Sequence, residues 1–241
     1  MLNNLKADLQ KIKNPVKAKL LSGFFKTEKG EYGEGDIFLG LTVPQQREIV
    51  KKYFDLTLDD LQEMLSSKIH EYRFSALAIL VEKFKKTLEK GKSAKGRSSY
   101  GRKEIFDFYI KNTKNINNWD LVDLSAANII GNYLMDKDKS LLYKLAQSDN
   151  LWKKRIAIIS TFQFIKNNQF EDTLKISEIL LNDKHDLIHK AVGWMLREIG
   201  KKNQTEEEKF LNKYCKKMPR TMLRYAIEKF PKNKKNFYLK K

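Results

Sequence analysis

The chain has 241 residues, with 48 Lys+Arg against 30 Asp+Glu and a formal net charge of +18. A hydrophobic content of 41% suffices for a sizeable core and excludes an intrinsically disordered chain, while only 4 Pro and 11 Gly argue against a loop-rich β-sandwich. A single cysteine, Cys215, excludes an intramolecular disulfide, a CxxC zinc site and a four-cysteine iron–sulfur cluster, and fits a reducing compartment.

The positive excess is spread along the whole chain, which makes a polyanion the first partner to consider. An acidic membrane surface is the competing partner, but no short stretch concentrates the charge as an anchor would. No run of about 18 apolar residues occurs, and the opening MLNNLKADLQKIKNP carries no signal-peptide h-region. A soluble intracellular protein without a membrane partner is expected.

Residues 2–25 read as two short helices broken at Asn14-Pro15. The next segment, KTEKGEYGEGD at 26–36, is the richest glycine stretch and the clearest loop. It is a poor phosphate cradle, because it lacks a GK[ST] ending, contains Glu31, Glu34 and Asp36, and follows no alternating strand. Thr42-Val43-Pro44-Gln45 opens another helix, with Thr42 placed to cap and Gln45 to complete a capping box. The polar, basic stretch KGKSAKGRSSYGR at 90–102 reads as a surface connection between helices.

Beyond it the periodicity is helical nearly to the end and strand alternation is absent. Residues 145–161 and 180–196 share one pattern: a helix end, a polar turn, then a helix with a basic residue before a small apolar run. HEYRFSALAILVEKF at 70–84 and RTMLRYAIEKF at 220–230 repeat the theme. Helix pairs recurring about every 35–40 residues mark a HEAT-like α-solenoid, since one pair cannot bury its apolar faces alone. The expected architecture is all-α: a single curved domain over residues 1–241, its concave face lined by the second helix of each pair.

Several side chains sit where core packing would not put them. In the helix starting near Asn118, Val122, Ala126, Ile129 and Tyr133 fall on one stripe, with Trp119 and Asp123 together on its flank. Asp123 is either a partner in a salt bridge to a neighbouring helix or a carboxylate with a task. Asp120 falls in the first turn and points away, where the helix dipole accounts for it. In the helix from Leu151 the buried stripe is Trp152, Ile156 and Ile159, with Arg155 on its border, placed for a carboxylate or for an external anion. In the helix from Leu187 the apolar face centres on Ile188, Val192, Met195 and Ile199. Trp194 stands at its edge between Lys190 and Arg197, either as a packing residue or as a platform near a phosphate backbone. Together, Trp119, Asp123, Arg155 and Trp194 on successive second helices would line one concave surface. His185 and His189 have HxxxH spacing, but no third ligand and no metalloprotease glutamate accompany them, and His185 falls in the turn before the helix, so no metal site is assigned. Neither a G-x-S-x-G motif nor a plausible Cys–His dyad is present.

The segments NNWDLVDLSA (117–126), LWKKRIAII (151–159), HKAVGWMLREIGK (189–201) and GEGDIFLGLTVPQQREI (33–49) resemble the AlkD-type DNA alkylation-repair family of HEAT-like-repeat DNA glycosylases. The resemblance spans nearly the whole chain. It implies an active site built from the tryptophan and second aspartate of WDxVD, the arginine of the WxxR stretch and the tryptophan of GWxLRE, which are Trp119, Asp123, Arg155 and Trp194 here. It also implies a monomer that acts on double-stranded DNA carrying alkylated purines, in the cytoplasm and on the nucleoid when bound, without cofactor or metal. Lys190 and Arg197 would add to DNA binding. The glycine-rich loop departs from the best-understood branch, and some relatives bind structured DNA without excising bases.

One carboxylate is few for glycoside hydrolysis, which normally needs an acid for the leaving group and a second group for the sugar. The shortage is intelligible if the leaving base is a cationic N7- or N3-alkylpurine, which departs neutral without a proton. The expectation is a monofunctional DNA glycosylase with Asp123, Trp119 and Trp194 catalytic. The alternative is a non-catalytic HEAT-repeat protein that binds branched or damaged DNA.

Overall fold

The computed structural model describes residues 1–88 and 100–240; most of the basic connection at 90–102 lies outside the described residues. Among those described the secondary structure is helical, with a single isolated bridge pairing Ile37 and Ile69 in place of any strand. Among the described residues no helix is long and apolar enough to cross a membrane. The chain divides into two units, Met1–Ser125 and Ala126–Lys241.

In the first unit, α1 (Leu2–Lys11) buries Leu5 and Leu9 and stops before Pro15, which opens α2 (Pro15–Phe24) as expected. Asn14 caps α2, its Oδ1 accepting the Lys17 N–H at 3.0 Å. The Thr42 box is present at the start of α3 (Val43–Val50), where Gln45 Oε1 accepts the Thr42 N–H at 2.9 Å. α4 (Leu58–Leu65) opens on a second box: the Asp60 N–H meets Thr57 Oγ1 at 3.1 Å and the Thr57 N–H meets Asp60 Oδ2 at 2.9 Å. The long α5 (His70–Leu88) is buried on every side from His70 to Val81, so it is the core element on which α3, α4 and α6 (Arg102–Lys111) pack. Burial all round brings charged residues inside. Glu71, 1% exposed, accepts the N–H groups of Leu39, Gly40 and Leu41 at 2.9, 2.8 and 3.2 Å, which ties the connection before α3 to the core helix. α7 (Trp119–Ala126) ends the unit.

In the second unit, α8 (Ser140–Ala146) packs on α9 (Leu151–Ser160), and α10 (Phe162–Lys166) and α11 (Glu171–Ile179) follow. The centre is α12 (Asp186–Lys202), which contacts α9, α10, α11, α13 (Gln204–Tyr214) and α14 (Arg220–Ala226); α15 (Lys232–Lys240) closes the chain. The stripes expected on α9 and α12 are buried: Trp152, Ile156 and Ile159 on one, and Ile188, Val192, Met195 and Ile199 on the other. One stripe is corrected. Residues Ala127–Gly131 form a π-helical turn, and its wider winding shifts the helical phase by a residue. Ile129 and Ile130 are therefore both buried, and the inward position further on is Leu134 in place of Tyr133, which is only partly covered.

Candidate functional site

Trp119 is the first residue of α7, and Asp123 follows one turn later on the same flank; both are half-buried. Asn118, fully buried, accepts the Trp119 N–H on its Oδ1 at 2.8 Å and so fixes where the helix begins. The indole is held by a row of rings that spacing alone does not reveal. Phe25 stacks on Trp119 with ring centroids 5.2 Å apart and planes 13° from parallel. Phe38 stacks on Phe25 at 5.0 Å, and the His70 imidazole lies on Phe38 at 4.6 Å. Phe24 meets the indole edge-on at 5.9 Å.

Hydrogen bonds close this row on itself. His70 Nε2 lies 2.8 Å from Asp120 Oδ2, while the other carboxylate oxygen of Asp120 accepts the Leu121 N–H at 2.8 Å. Asp120 therefore serves the helix N-terminus as expected, but it also reaches a buried partner instead of merely pointing away. On its other side His70 Nδ1 is 3.3 Å from Asp36 Oδ2, an oxygen that also accepts from Arg73 Nη2 at 2.5 Å. Arg73 is anchored in turn by its Nη1, which donates to Ser67 O at 2.9 Å. Burial alone would push the His70 pKa down, but the charge and hydrogen bond of Asp120, with help from Asp36, outweigh it and push it up to about 9. Burial also works against the Asp36 carboxylate, yet His70 and Arg73 hold its pKa below the ordinary value. At neutral pH the His70 imidazole is thus protonated and the Asp36 carboxylate ionised, opposite charges held together inside the unit.

The glycine-rich loop has its task here. It carries Asp36 into the cluster, and it lies so close to the backbone of Phe25 that a Cβ at Gly33 would come within 2.4 Å of Phe25 O. The loop is thus a support for the residues behind Trp119, in keeping with its poor match to a phosphate cradle.

In the second unit, Arg155 is 5% exposed and donates from Nη1 to Leu187 O, at the start of α12, at 2.7 Å. The sequence pointed to a carboxylate or an external anion, and a backbone carbonyl was not foreseen. Trp194 is half-buried on α12 and tilted against Phe162 at 5.9 Å. Its Nε1 donates to Glu198 Oε1 at 3.1 Å, the same oxygen that pairs with Lys201 at 2.6 Å and faces Arg197 Nε at 3.7 Å. Glu198, overlooked among the cations, orients this indole. The flanking cations are themselves paired: Lys190 with Asp186 at 2.6 Å, and Arg197 with Glu228. His185 is the N-cap of α12, accepting the Leu187 N–H on Nδ1 at 3.1 Å, and His189 Nε2 meets Asp183 O at 2.5 Å. Backbone groups therefore engage one nitrogen of each ring.

Each unit thus carries a half-buried tryptophan whose ring is fixed by neighbours, one of them a helical turn from an aspartate. A family model described as DNA alkylation repair enzyme matches residues 5–230. Among solved structures the chain is similar to a "Predicted DNA alkylation repair enzyme from Enterococcus faecalis", at a TM-score of 0.68 and 17% identity, over 91% of this chain and 97% of that one. At that identity the likeness shows a shared all-helical fold. No curated protein matches the chain. With nearly its whole length covered by the family model, the chain belongs to the DNA alkylation repair enzyme family.

Proposed function

We propose that the protein is a monofunctional DNA glycosylase that releases cationic N7- and N3-alkylated purines from duplex DNA. The observation that carries this reading is the pairing of Trp119 and Asp123 one turn apart on α7, with the indole held by the Phe25 stack and the helix start held by Asn118. Water attacks C1′ of the deoxyribose as the N-glycosidic bond breaks. The bonding electron pair goes to the cationic base, which leaves neutral, so no general acid is required; the proton lost by the water passes to Asp123 or to solvent.

Asp123 stabilises the positive charge that grows on the sugar. At a separation of about 4 Å and an effective dielectric of about 20, that attraction is about 4 kcal/mol. Trp119 supplies an aromatic face to the sugar and the cationic nucleotide, a contact contributing about 0.5–2 kcal/mol. The +18 charge adds affinity for the phosphate backbone that falls with salt. The protein acts as a monomer on this reading.

The test is release of 7-methylguanine from methylated duplex DNA by wild type and by Asp123→Asn. The neutral variant is expected to lose about 10²–10³-fold in single-turnover rate, the range that corresponds to most of 4 kcal/mol. Equal rates remove Asp123 from the mechanism. Salt-dependent DNA binding with no free base at any enzyme concentration replaces the glycosylase reading with that of a non-catalytic binder of damaged DNA.

A further inference from the structure

A neutral imidazole has one N–H and one lone pair, whereas the protonated ring donates from both nitrogens. Both nitrogens of His70 face carboxylates: Nε2 lies 2.8 Å from Asp120 Oδ2, and Nδ1 lies 3.3 Å from Asp36 Oδ2. Only the protonated ring satisfies the two together; without the proton, a lone pair is set against one of them. Arg73 Nη2 is 3.5 Å from Nδ1. These are the titratable groups that face the ring: Asp36 from the glycine-rich loop, Asp120 from α7 and Arg73 from α5 itself. His70 also reaches Trp119 by two separate routes. Asp120 directly follows Trp119 in the chain, so the bond to Nε2 holds the backbone from which the indole projects. The imidazole lies on Phe38, which stacks on Phe25, which stacks on Trp119. Residues 36–38 are tied to the start of α5 as well: the His70 N–H donates to Ile37 O at 2.8 Å, and the Ile37 N–H to Lys68 O at 2.9 Å. The backbone and the ring face of Trp119 are thus both set from one residue.

We propose that His70 is a positioning residue, whose positive charge draws Asp120 and Asp36 together and so fixes the Trp119 indole beside Asp123 for its contact with DNA. The inference rests on the reading that Trp119 meets the damaged nucleotide, and it gives that reading a control residue behind the site. At 2% exposure the imidazole does not reach DNA, so it acts through Trp119. While the ring is protonated, its two nitrogens hold α7 and the glycine-rich loop. Loss of the proton releases the longer contact, to Asp36, because Arg73 Nη2 already supplies that carboxylate oxygen at 2.5 Å. The loop then moves off the ring, and Phe38, two residues beyond Asp36, carries the change through Phe25 to the indole. A misplacement of about 1 Å costs on the order of 10²-fold in rate, so a small movement here is legible in catalysis.

The experiment labels the three tryptophans of the full chain as 5-fluorotryptophan and follows their fluorine resonances from about pH 6 to about pH 10. Trp119→Phe assigns the resonance of Trp119. In wild type that resonance is expected to titrate with a midpoint near 9, which Trp152 and Trp194 do not share, and in His70→Gln it is expected to be flat. Asp120→Asn and Asp36→Asn each remove a carboxylate from the ring and should lower the midpoint, Asp120→Asn by more; they decide the matter where His70→Gln fails to fold. Single-turnover release of 7-methylguanine, with both proteins fully folded by circular dichroism, supplies the functional reading. Wild type should exceed His70→Gln by about 10–100-fold near neutral pH, and the ratio should collapse as the pH rises through 9. A merely structural histidine lowers stability without making either quantity follow the pH. A Trp119 resonance that does not titrate, one that titrates alike in His70→Gln, or a rate ratio constant with pH overturns the proposal. No base release by wild type rejects the glycosylase reading and leaves the fluorine titration to decide this one.

Discussion

Replacing His70 by Gln tests whether the cluster behind Trp119 is held by a charged imidazole. The ring is 2% exposed and lies between Asp120 at 2.8 Å and Asp36 at 3.3 Å. Its pKa stands at about 9 in the folded protein against 6.5 for the ordinary side chain. That difference corresponds to about 3 kcal/mol of preferential interaction with the protonated ring. Because the folded value is the higher one, this stability is complete below pH 6.5 and is lost as the pH rises through 9. Glutamine keeps a donor for Asp120 but does not titrate. Urea unfolding of both proteins at pH 6, 7.5 and 9.5 should show the advantage of wild type over His70→Gln shrinking by about 3 kcal/mol across the series. Taking the difference between the two proteins cancels the titrating groups that His70 does not touch. A difference that stays constant with pH refutes the charged-imidazole account, because a neutral ring contributes equally at all three values.

Three further outcomes follow from buried groups. Glu71→Ala strands the N–H groups of Leu39, Gly40 and Leu41, and at about 1–3 kcal/mol per abandoned donor the loss of stability should exceed about 3 kcal/mol in denaturant titration. Glu207 is 1% exposed with no partner for its Oε1, and burial, with Glu208 nearby, pushes its pKa up to about 9. Since the folded value lies above the ordinary 4.5, wild type loses stability as pH rises from 4.5 through 9, and Glu207→Gln should be the more stable protein at pH 9 by on the order of 2 kcal/mol in chemical unfolding. A Cβ at Gly193 would lie 2.4 Å from Met222 O and 2.5 Å from Tyr225 Cβ, so Gly193→Ala should force α12 and α14 apart and cost about 1–3 kcal/mol, read as a lowered Tm.

Local chemistry alone was enough for the helices, their starts and two of their buried faces. Asn14-Pro15 and Thr42-Gln45 act within three or four residues, and the stripes of α9 and α12 need only the 3.6-residue period. The positions of Trp119, Asp123, Arg155 and Trp194 on the flanks of such stripes follow from the same period, joined to a resemblance of motifs. The third stripe failed at Ala127–Gly131 because a straight-helix period cannot anticipate a π-turn. What surrounds those residues was decided by tertiary packing. Asp36, His70 and Asp120 are 34 and 50 residues apart in sequence, and each has an ordinary local explanation as loop acid, helix residue and first-turn acid. Arg155 found a backbone carbonyl, Trp194 found Glu198, and α2 turned its most apolar face outward. Periodicity reports which side of a helix is greasy. Which neighbour meets that side depends on contacts between distant segments, and those exist only once the chain has closed its loops.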